Sequence, residues 1–172
     1  MLIYDLKVPG EPDKIISMKD VTVGKRPSDD LKEAYIAGFL DGDGAVSAII
    51  ERHSEKKFRF RVRVCLDFYQ HKDNVVVLQY IQKYFGEGSL GKSIRNTHKL
   101  SLRNQENLKA ILPSLHKYVV VKKRQIEIAL KILNTKIDTK KDLLKVAKLA
   151  DQLSGFNIRS KSIRKNSSKI II

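Results

Sequence analysis

The sequence predicts an α+β domain in which one four-stranded antiparallel sheet carries helices on one face. Its clearest signal is the segment 57–68, where polar and apolar side chains alternate as they do in a strand with one buried face. The segments around it are predicted in the order helix, two strands, helix, two strands and further helices. Two hairpins with helices between and after them form a single sheet that is covered on one side.

The first helix and the first hairpin open the predicted core. The helix begins near Ser28, a good N-cap, and ends at the glycines of the DGDG stretch, residues 41–44. Residues 45–50 (AVSAII) form the first strand, and a polar hairpin tip joins it to the strand at 57–68. This second strand places arginines on its polar side.

The rest of the predicted core is a helix, a short hairpin and a run of helices. A proline at position 113 is predicted to interrupt the first helix of that run. The predicted bounds are 73–85 for the second helix, 88–94 and 98–103 for the hairpin strands, and about 104, 122–133 and 140–153 for the later helices. Thr139 and Asp142 form a capping-box-like pair at the start of the last one.

Three regions divide the chain. Residues 1–27 have mixed charge and several prolines and glycines, so they are predicted to be an N-terminal arm. Residues 28–156 are the predicted core. Residues 157–172 form a Ser-rich C-terminal tail that has basic residues and no acidic one.

Charge and composition narrow the possible partners. The 172 residues include 34 Lys+Arg against 19 Asp+Glu, a formal net charge of +15. A polyanion is therefore the leading partner, nucleic acid being the commonest one. An anionic membrane surface is disfavoured, because the basic residues do not form one amphipathic helix. A single cysteine excludes an intramolecular disulfide framework and a cysteine-based zinc site. Without an apolar span or signal core, the protein is expected inside the cell, in the cytoplasm or nucleoid or in a chloroplast or mitochondrion.

The DGDG stretch places two carboxylates at the negative end of a helix dipole. Anions are disfavoured there by roughly 0.3–1 kcal/mol each. One interpretation is a simple turn, since Asp and Gly both favour turns. The other is a site for a divalent cation, which prefers oxygen ligands and would serve attack on phosphate in a nucleic-acid-binding protein.

The same helix carries small residues on one stripe. Ala34 and Gly38 are four positions apart, and a glycine inside a helix costs roughly 1 kcal/mol relative to alanine. Close approach of another backbone would account for it. That backbone belongs either to the protein's own sheet or to the same helix of a second copy across a two-fold axis.

Residues 35–44 (YIAGFLDGDG) resemble the signature of the LAGLIDADG homing endonucleases. The resemblance covers about residues 28–165, and it implies an αββαββα core with a saddle-shaped DNA-binding sheet. The motif occurs once, which is similar to the single-motif homodimeric group. The resemblance therefore implies a homodimer with double-stranded DNA as partner, and a dimer interface at Ala34, Ala37, Gly38, Leu40 and Asp41.

The resemblance also implies the catalytic residues. Asp43 would be the metal ligand, joined by the Gly42 carbonyl, and Gln70 would hold the nucleophilic water. Lys122, with Lys123 as the alternative, would lie near the scissile phosphate. The expected cofactor is Mg²⁺, with Mn²⁺ as a substitute and Ca²⁺ binding without cleavage.

A polar sheet face is predicted to contact the DNA. Arginine is the commonest reader of guanine in the major groove, and Glu51 could accept from cytosine N4. The alternative is a solvated face. The predicted DNA-binding residues are Ser47, Glu51, Arg59, Arg61, Arg63, Asp67, Ser89, Ser93, Lys99, Ser101 and Arg103 on the sheet, and Arg159, Lys161 and Arg164 in the tail.

The function expected from these features is metal-dependent, site-specific cleavage of a long, near-palindromic DNA site. The alternatives are a catalytically silent DNA-binding protein, an intron RNA maturase on the same fold, and a structural or ribosome-associated basic protein.

Overall fold

The computed structural model describes residues 29–92, 96–157 and 168–171. The predicted arm and most of the predicted tail, with Ser93, Arg159, Lys161 and Arg164, lie outside them. The helices and strands are α1 (Asp29–Asp43), β1 (Gly44–Arg52), β2 (Phe60–His71), α2 (Val76–Phe85), β3 (Ser89–Lys92), β4 (Thr97–Leu102), α3 (Gln105–His116), α4 (Lys123–Asn134) and α5 (Lys140–Gly155). Two short 3₁₀ helices lie at Lys72–Asn74 and Ser168–Ile171.

One antiparallel sheet of four strands forms the centre of the fold. Its strand order is β1-β2-β4-β3, so the two hairpins meet at the β2–β4 pair. In the first hairpin, Gly44 is opposite Phe68 and Arg52 is opposite Phe60. This register places the end of α1 and the last residues of β2 at the same end of the sheet.

The two faces of the sheet differ as the alternation predicted. One face is apolar and buried beneath the helices, and it comprises Val46, Ala48, Ile50, Val64, Leu66, Phe68, Leu100 and Leu102. Ile36 and Leu40 of α1 pack into the same core. The other face carries Ser47, Glu51, Arg61, Arg63, Asp67, Lys99 and Ser101. The predicted fold class is confirmed: an α+β domain with helices on one face of a four-stranded antiparallel sheet.

The second strand begins three residues later than predicted. The chain turns tightly before it, with the Lys56 carbonyl accepting from the Arg59 N–H at 2.7 Å and the Arg59 carbonyl accepting from the His53 N–H at 2.9 Å. Arg59 has a φ of 57° and is exposed. The prediction that Arg59 lies in register with Arg61 and Arg63 on one strand face is therefore wrong.

Two helix details also differ from the prediction. Pro113 does not interrupt its helix, because α3 continues through it to His116. The second helix begins at Val76, after a 3₁₀ turn in which the His71 side chain accepts from the Asp73 N–H. At α5, the Thr139–Asp142 capping box is confirmed.

The end of the chain returns to α5. The Ser168 N–H donates to the Asp151 carboxylate at 2.9 Å, and Ile171 is buried against the core. In the described part of the chain, every helix is too short or too polar to cross a lipid bilayer.

Candidate metal and nucleic-acid site

Asp43 is the last residue of α1, and its side chain is exposed. Among the described residues, no donor forms a hydrogen bond or ion pair with its carboxylate. The preceding Gly42 is also exposed, and an added Cβ there would meet no atom within 4 Å. An exposed carboxylate beside an exposed glycine therefore lies at the C-terminal end of this helix, where a cation is favoured.

Asp41 has the opposite surroundings. One carboxylate oxygen accepts from the backbone N–H groups of Val120 and Val121 at 2.6 and 3.2 Å, and the other accepts from the N–H of Lys122 at 3.0 Å. These donors directly precede α4, where no other side chain caps the helix. The Asp41 carboxylate thus supplies the negative charge that a helix N-terminus favours.

Lys122 is turned toward the same end of α1. Its side chain is buried, with 7% of the residue exposed, and its Nζ donates to the Asp41 carbonyl at 3.0 Å. Lys123 is exposed. The Lys122 ammonium therefore lies at the carbonyl of Asp41, the residue that directly precedes the predicted metal-binding Gly42 and Asp43.

Gln70 lies at this end of the sheet as well. Phe68 pairs with Gly44, so Gln70 extends two residues past the start of β1 on the core side of β2. Its Oε1 accepts from the His71 N–H at 2.8 Å, which leaves its amide nitrogen as the group that can reach a ligand. The three predicted catalytic residues therefore come from α1, β2 and the start of α4 and lie toward the same end of the sheet.

The polar sheet face contains two groups of paired charges. In the first, Glu51 accepts from Arg61 Nε and, at 3.0 Å, from Arg63 Nη2. In the second, the buried Asp67 accepts from Ser101 Oγ at 2.6 Å and pairs with Lys99 Nζ at 3.0 Å. Both carboxylates are thus neutralised by donors of the same chain, which keeps the face compatible with a polyanion.

Asp67 also influences the groups around it. Burial raises the pKa of the Tyr69 hydroxyl, and the Asp67 charge raises it further. Burial alone would lower the pKa of Lys99, but the hydrogen bond and charge of Asp67 outweigh it, so that pKa is raised. Burial and Asp67 likewise raise the pKa of the Cys65 thiol. Lys99 therefore stays protonated, and the thiol stays neutral near pH 7.

The family of this chain follows from its similarity to known proteins. The LAGLIDADG endonuclease family matches residues 36–132, more than half of the chain. The chain belongs to this family. A curated relative, "DNA endonuclease I-CvuI" of Chlorella vulgaris, is 31% identical over 127 residues, which are 73% of this chain and 79% of that protein.

Solved structures of homing endonucleases agree with this assignment. Crystal structures of I-CvuI with DNA, one in the presence of Mg and one in the presence of Ca, match with a TM-score of 0.75 and 28% identity. They cover 83% of this chain and 91% of theirs. The archaeal intron-encoded I-Vdi141I, complexed with DNA, matches with a TM-score of 0.69 and 25% identity, covering 84% and 94% of the two chains.

The motif helix α1 presents a different stripe from the predicted one. Ala37 and Leu40 are fully buried in the core and have no surface for a partner, so their prediction as interface residues is corrected. Ala34 is half-buried, whereas Gly38 is exposed. The exposed apolar side chains on this helix are Leu31 (63%) and Tyr35 (54%). Tyr35 lies four positions after Leu31 and three before Gly38, so these residues share one stripe of the helix.

The remaining predicted DNA-binding residues lie around the polar face. Ser47 is half-buried and faces outward on β1, Ser89 is exposed on the edge strand β3, and Arg103 is exposed just after β4. Their contact with DNA stays a prediction.

Sequence reasoning missed two interactions that shape the site. The first is the capping of α4 by Asp41, which no local pattern indicates because the capped residues are about 80 positions away. The second involves Gln105, whose side-chain amide bonds the Val64 N–H and carbonyl at 2.9 Å each. It completes the edge of β2 where β4 has already ended.

Proposed function

We propose that this chain is a homodimeric, divalent-metal-dependent endonuclease that cleaves a long, near-palindromic site in double-stranded DNA. One observation carries the proposal. The Asp43 carboxylate is exposed at the end of the motif helix, and the ammonium of the buried Lys122 donates to the Asp41 carbonyl at the same helix end. A protein that works on intracellular DNA is expected inside the cell.

The donor set at this end of α1 suits magnesium. Mg²⁺ is typically bound by one or two carboxylates together with phosphate oxygens and water. Within the described residues, no group of three or more His, Cys, Asp or Glu side chains could hold a metal ion. Asp43 and the Gly42 carbonyl would hold a metal ion together with oxygens from the DNA backbone and from a second copy. Bound there, Mg²⁺ would polarise the scissile phosphate and favour deprotonation of water.

The chain's own residues supply the remaining roles. Lys122 is held by the Asp41 carbonyl and would stabilise negative charge that develops on the phosphate. The Gln70 side chain is fixed by the His71 N–H, so its amide would orient a water molecule. Asp41 would keep both α1 and the Lys122 segment in place.

Selection followed by cleavage tests the proposal. The protein is incubated with randomised DNA duplexes in Ca²⁺, and the enriched duplexes are then assayed for cutting in Mg²⁺, in Mn²⁺ and in EDTA. We expect enrichment of a near-palindromic sequence, double-strand cleavage with either Mg²⁺ or Mn²⁺, and none in EDTA. Tight binding without cutting in either metal would replace the proposal with a silent DNA-binding protein.

The basic tail is proposed to bind phosphates without reading bases. Arg159, Lys161 and Arg164 lie outside the described residues, so this rests on charge alone. Each phosphate contact contributes about −0.9 to the slope of log K against log salt concentration. Replacing Arg159, Lys161 and Arg164 with glutamine, which retains Ser168 and Ile171 in their contacts with α5 and the core, should weaken binding to all duplexes equally and flatten that slope. An unchanged slope would show that the tail does not bind phosphate.

A further inference from the structure

Glu51 joins two arginines on the polar sheet face. It lies directly opposite Arg61 in the β1–β2 register and diagonally from Arg63. Arg61 Nε donates to Glu51 Oε1, and Arg63 Nη2 donates to Glu51 Oε2 at 3.0 Å. Each oxygen of the carboxylate is therefore engaged by a different arginine.

Partial burial makes this arrangement more than a loose surface pair. The side chains of Glu51, Arg61 and Arg63 are 25%, 35% and 24% exposed. Ion pairs that are partly withdrawn from water are less screened than fully exposed ones. Arg63 Nε is buried and has no hydrogen-bond partner among the described residues. A buried donor without a partner is unfavourable, so the Arg63 side chain would not adopt this orientation by its own hydrogen bonds. The bond from Arg63 Nη2 to Glu51 therefore holds the side chain in place.

The donors that remain on the two arginines match the guanine edge. Guanine offers O6 and N7 in the major groove, and arginine binds both with two N–H groups. With Nε bound to Glu51, both terminal nitrogens of Arg61 stay available, and Arg63 keeps Nη1. Residues two apart on a strand are roughly 6.8 Å apart, about the span of two base-pair steps. A pair held in this way could address bases at two nearby steps of one half-site.

We propose that Glu51 is a positioning residue that holds Arg61 and Arg63 as one unit for reading guanine edges, and that it contacts no base itself. The proposal rests on site-specific DNA recognition as the function. It replaces the expectation that Glu51 accepts from cytosine N4, because both of its oxygens are already engaged within the chain.

The test is base preference in the Ca²⁺ binding selection, with the full-length chain. Glu51→Gln keeps the size of the side chain and removes its charge. We expect the preference at the bases read by Arg61 and Arg63 to fall about five- to tenfold, within the range that one bidentate contact provides. Affinity for unrelated duplexes should rise, because a negative charge leaves the face. In the Arg61→Ala/Arg63→Ala background, Glu51→Gln should change the preference no further.

Two further variants keep the result interpretable. Glu51→Asp keeps the charge but is one methylene shorter and cannot span both arginines, so it should also reduce the preference. Glu55→Gln removes a carboxylate from the exposed hairpin tip, where it pairs with neither arginine, and should leave the preference at those bases unchanged. Urea unfolding of each variant confirms that a folded protein is being compared.

Four outcomes would overturn the proposal. Glu51 itself reads a base if Glu51→Gln still shifts the preference when both arginines are absent. Glu51 has no positioning role if Glu51→Gln enriches the same sequences as the wild type. An equal loss in Glu55→Gln would mean that the effect comes from net charge and not from positioning. A wild-type protein that enriches no sequence would remove site-specific recognition, and this proposal with it, whereas the other three leave the proposed function standing.

Discussion

The two aspartates at the end of α1 share one motif but have opposite surroundings. Asp41 accepts three backbone hydrogen bonds from residues 120–122, and Asp43 is exposed with no partner among the described residues. Two positions along a helix rotate a side chain by about 200°, so one carboxylate turns to α4 and the other turns away from it. One carboxylate holds the fold together, and the other is left available for a ligand.

The energetics of the two positions differ for the same reason. A carboxylate at a helix C-terminus is unfavourable by roughly 0.3–1 kcal/mol. For Asp41, the N-terminus of α4 compensates that cost inside the chain. For Asp43, no described residue compensates that cost. Placements that are unfavourable in the free protein tend to be kept for function, which supports the proposal that Asp43 holds the metal.

Asp43→Asn should separate the two roles most strongly. Removing the charge should lower the cleavage rate at least about a hundredfold, while affinity in Ca²⁺-free buffer persists or rises. The free energy of unfolding should stay equal or increase by about 0.3–1 kcal/mol, because an unfavourable charge is removed. Single-turnover cleavage, duplex binding and urea unfolding measure the three quantities.

The matched control for that experiment is Asp138→Asn. Asp138 is an exposed aspartate whose carbonyl accepts from Lys57 at the hairpin tip, at the opposite end of β1 and β2. Its cleavage rate should equal that of the wild type. An Asp43→Asn protein that cuts as fast as this control would remove Asp43 from the catalytic residues.

Asp41→Ala should act on stability. The variant leaves three N–H groups at the start of α4 without their acceptor, so the free energy of unfolding should fall by about 2–3 kcal/mol. Asp41→Asn keeps one acceptor oxygen and should lose less. Urea unfolding without DNA or metal provides the comparison. Unchanged stability in both variants would contradict the capping role.

Much of this fold could be predicted because its signals are local. Alternation along 57–68 gave the two faces of β2, and the glycines after α1 gave the end of that helix. The helix and strand bounds that were predicted wrongly depend on contacts between distant parts of the chain or on turn geometry. Arg59 lies outside the strand because the hairpin turn gives it a positive φ, which the alternation of polar and apolar residues does not reveal.

The candidate site divides in the same way. The end of α1 could be found from the motif, but its partner could not, because the residues that Asp41 caps are distant in sequence. Likewise, period two placed Glu51, Arg61 and Arg63 on one face without showing that they bond one another. The helical stripe was misjudged at Ala37 and Leu40, since a row of small residues does not tell which side faces the core.

Lys122→Met should distinguish the lysine held at the end of α1 from its neighbour. The variant keeps an apolar stem but loses the ammonium, so single-turnover cleavage should slow about ten- to a hundredfold at nearly unchanged affinity. Lys123→Met removes an exposed charge and should instead reduce the salt slope of binding by about one unit at most. If Lys123→Met slowed cleavage more than Lys122→Met, the assignment of the two lysines would be reversed.

Gly38→Ala should give the smallest effect, and its sign is informative. An added Cβ at Gly38 would meet no atom of this chain within 4 Å. In a single chain, alanine should therefore raise the free energy of unfolding by about 0.5–1 kcal/mol, since glycine is the poorer helix former. If α1 packs closely against α1 of a second copy, the same methyl group must weaken the dimer, and Gly38→Leu must weaken it more. Sedimentation over a range of concentrations measures dimerisation, and urea unfolding below the dissociation constant measures the single chain. A gain in both quantities would show that no second backbone approaches Gly38, and the exposed stripe with Leu31 and Tyr35 would then need another explanation.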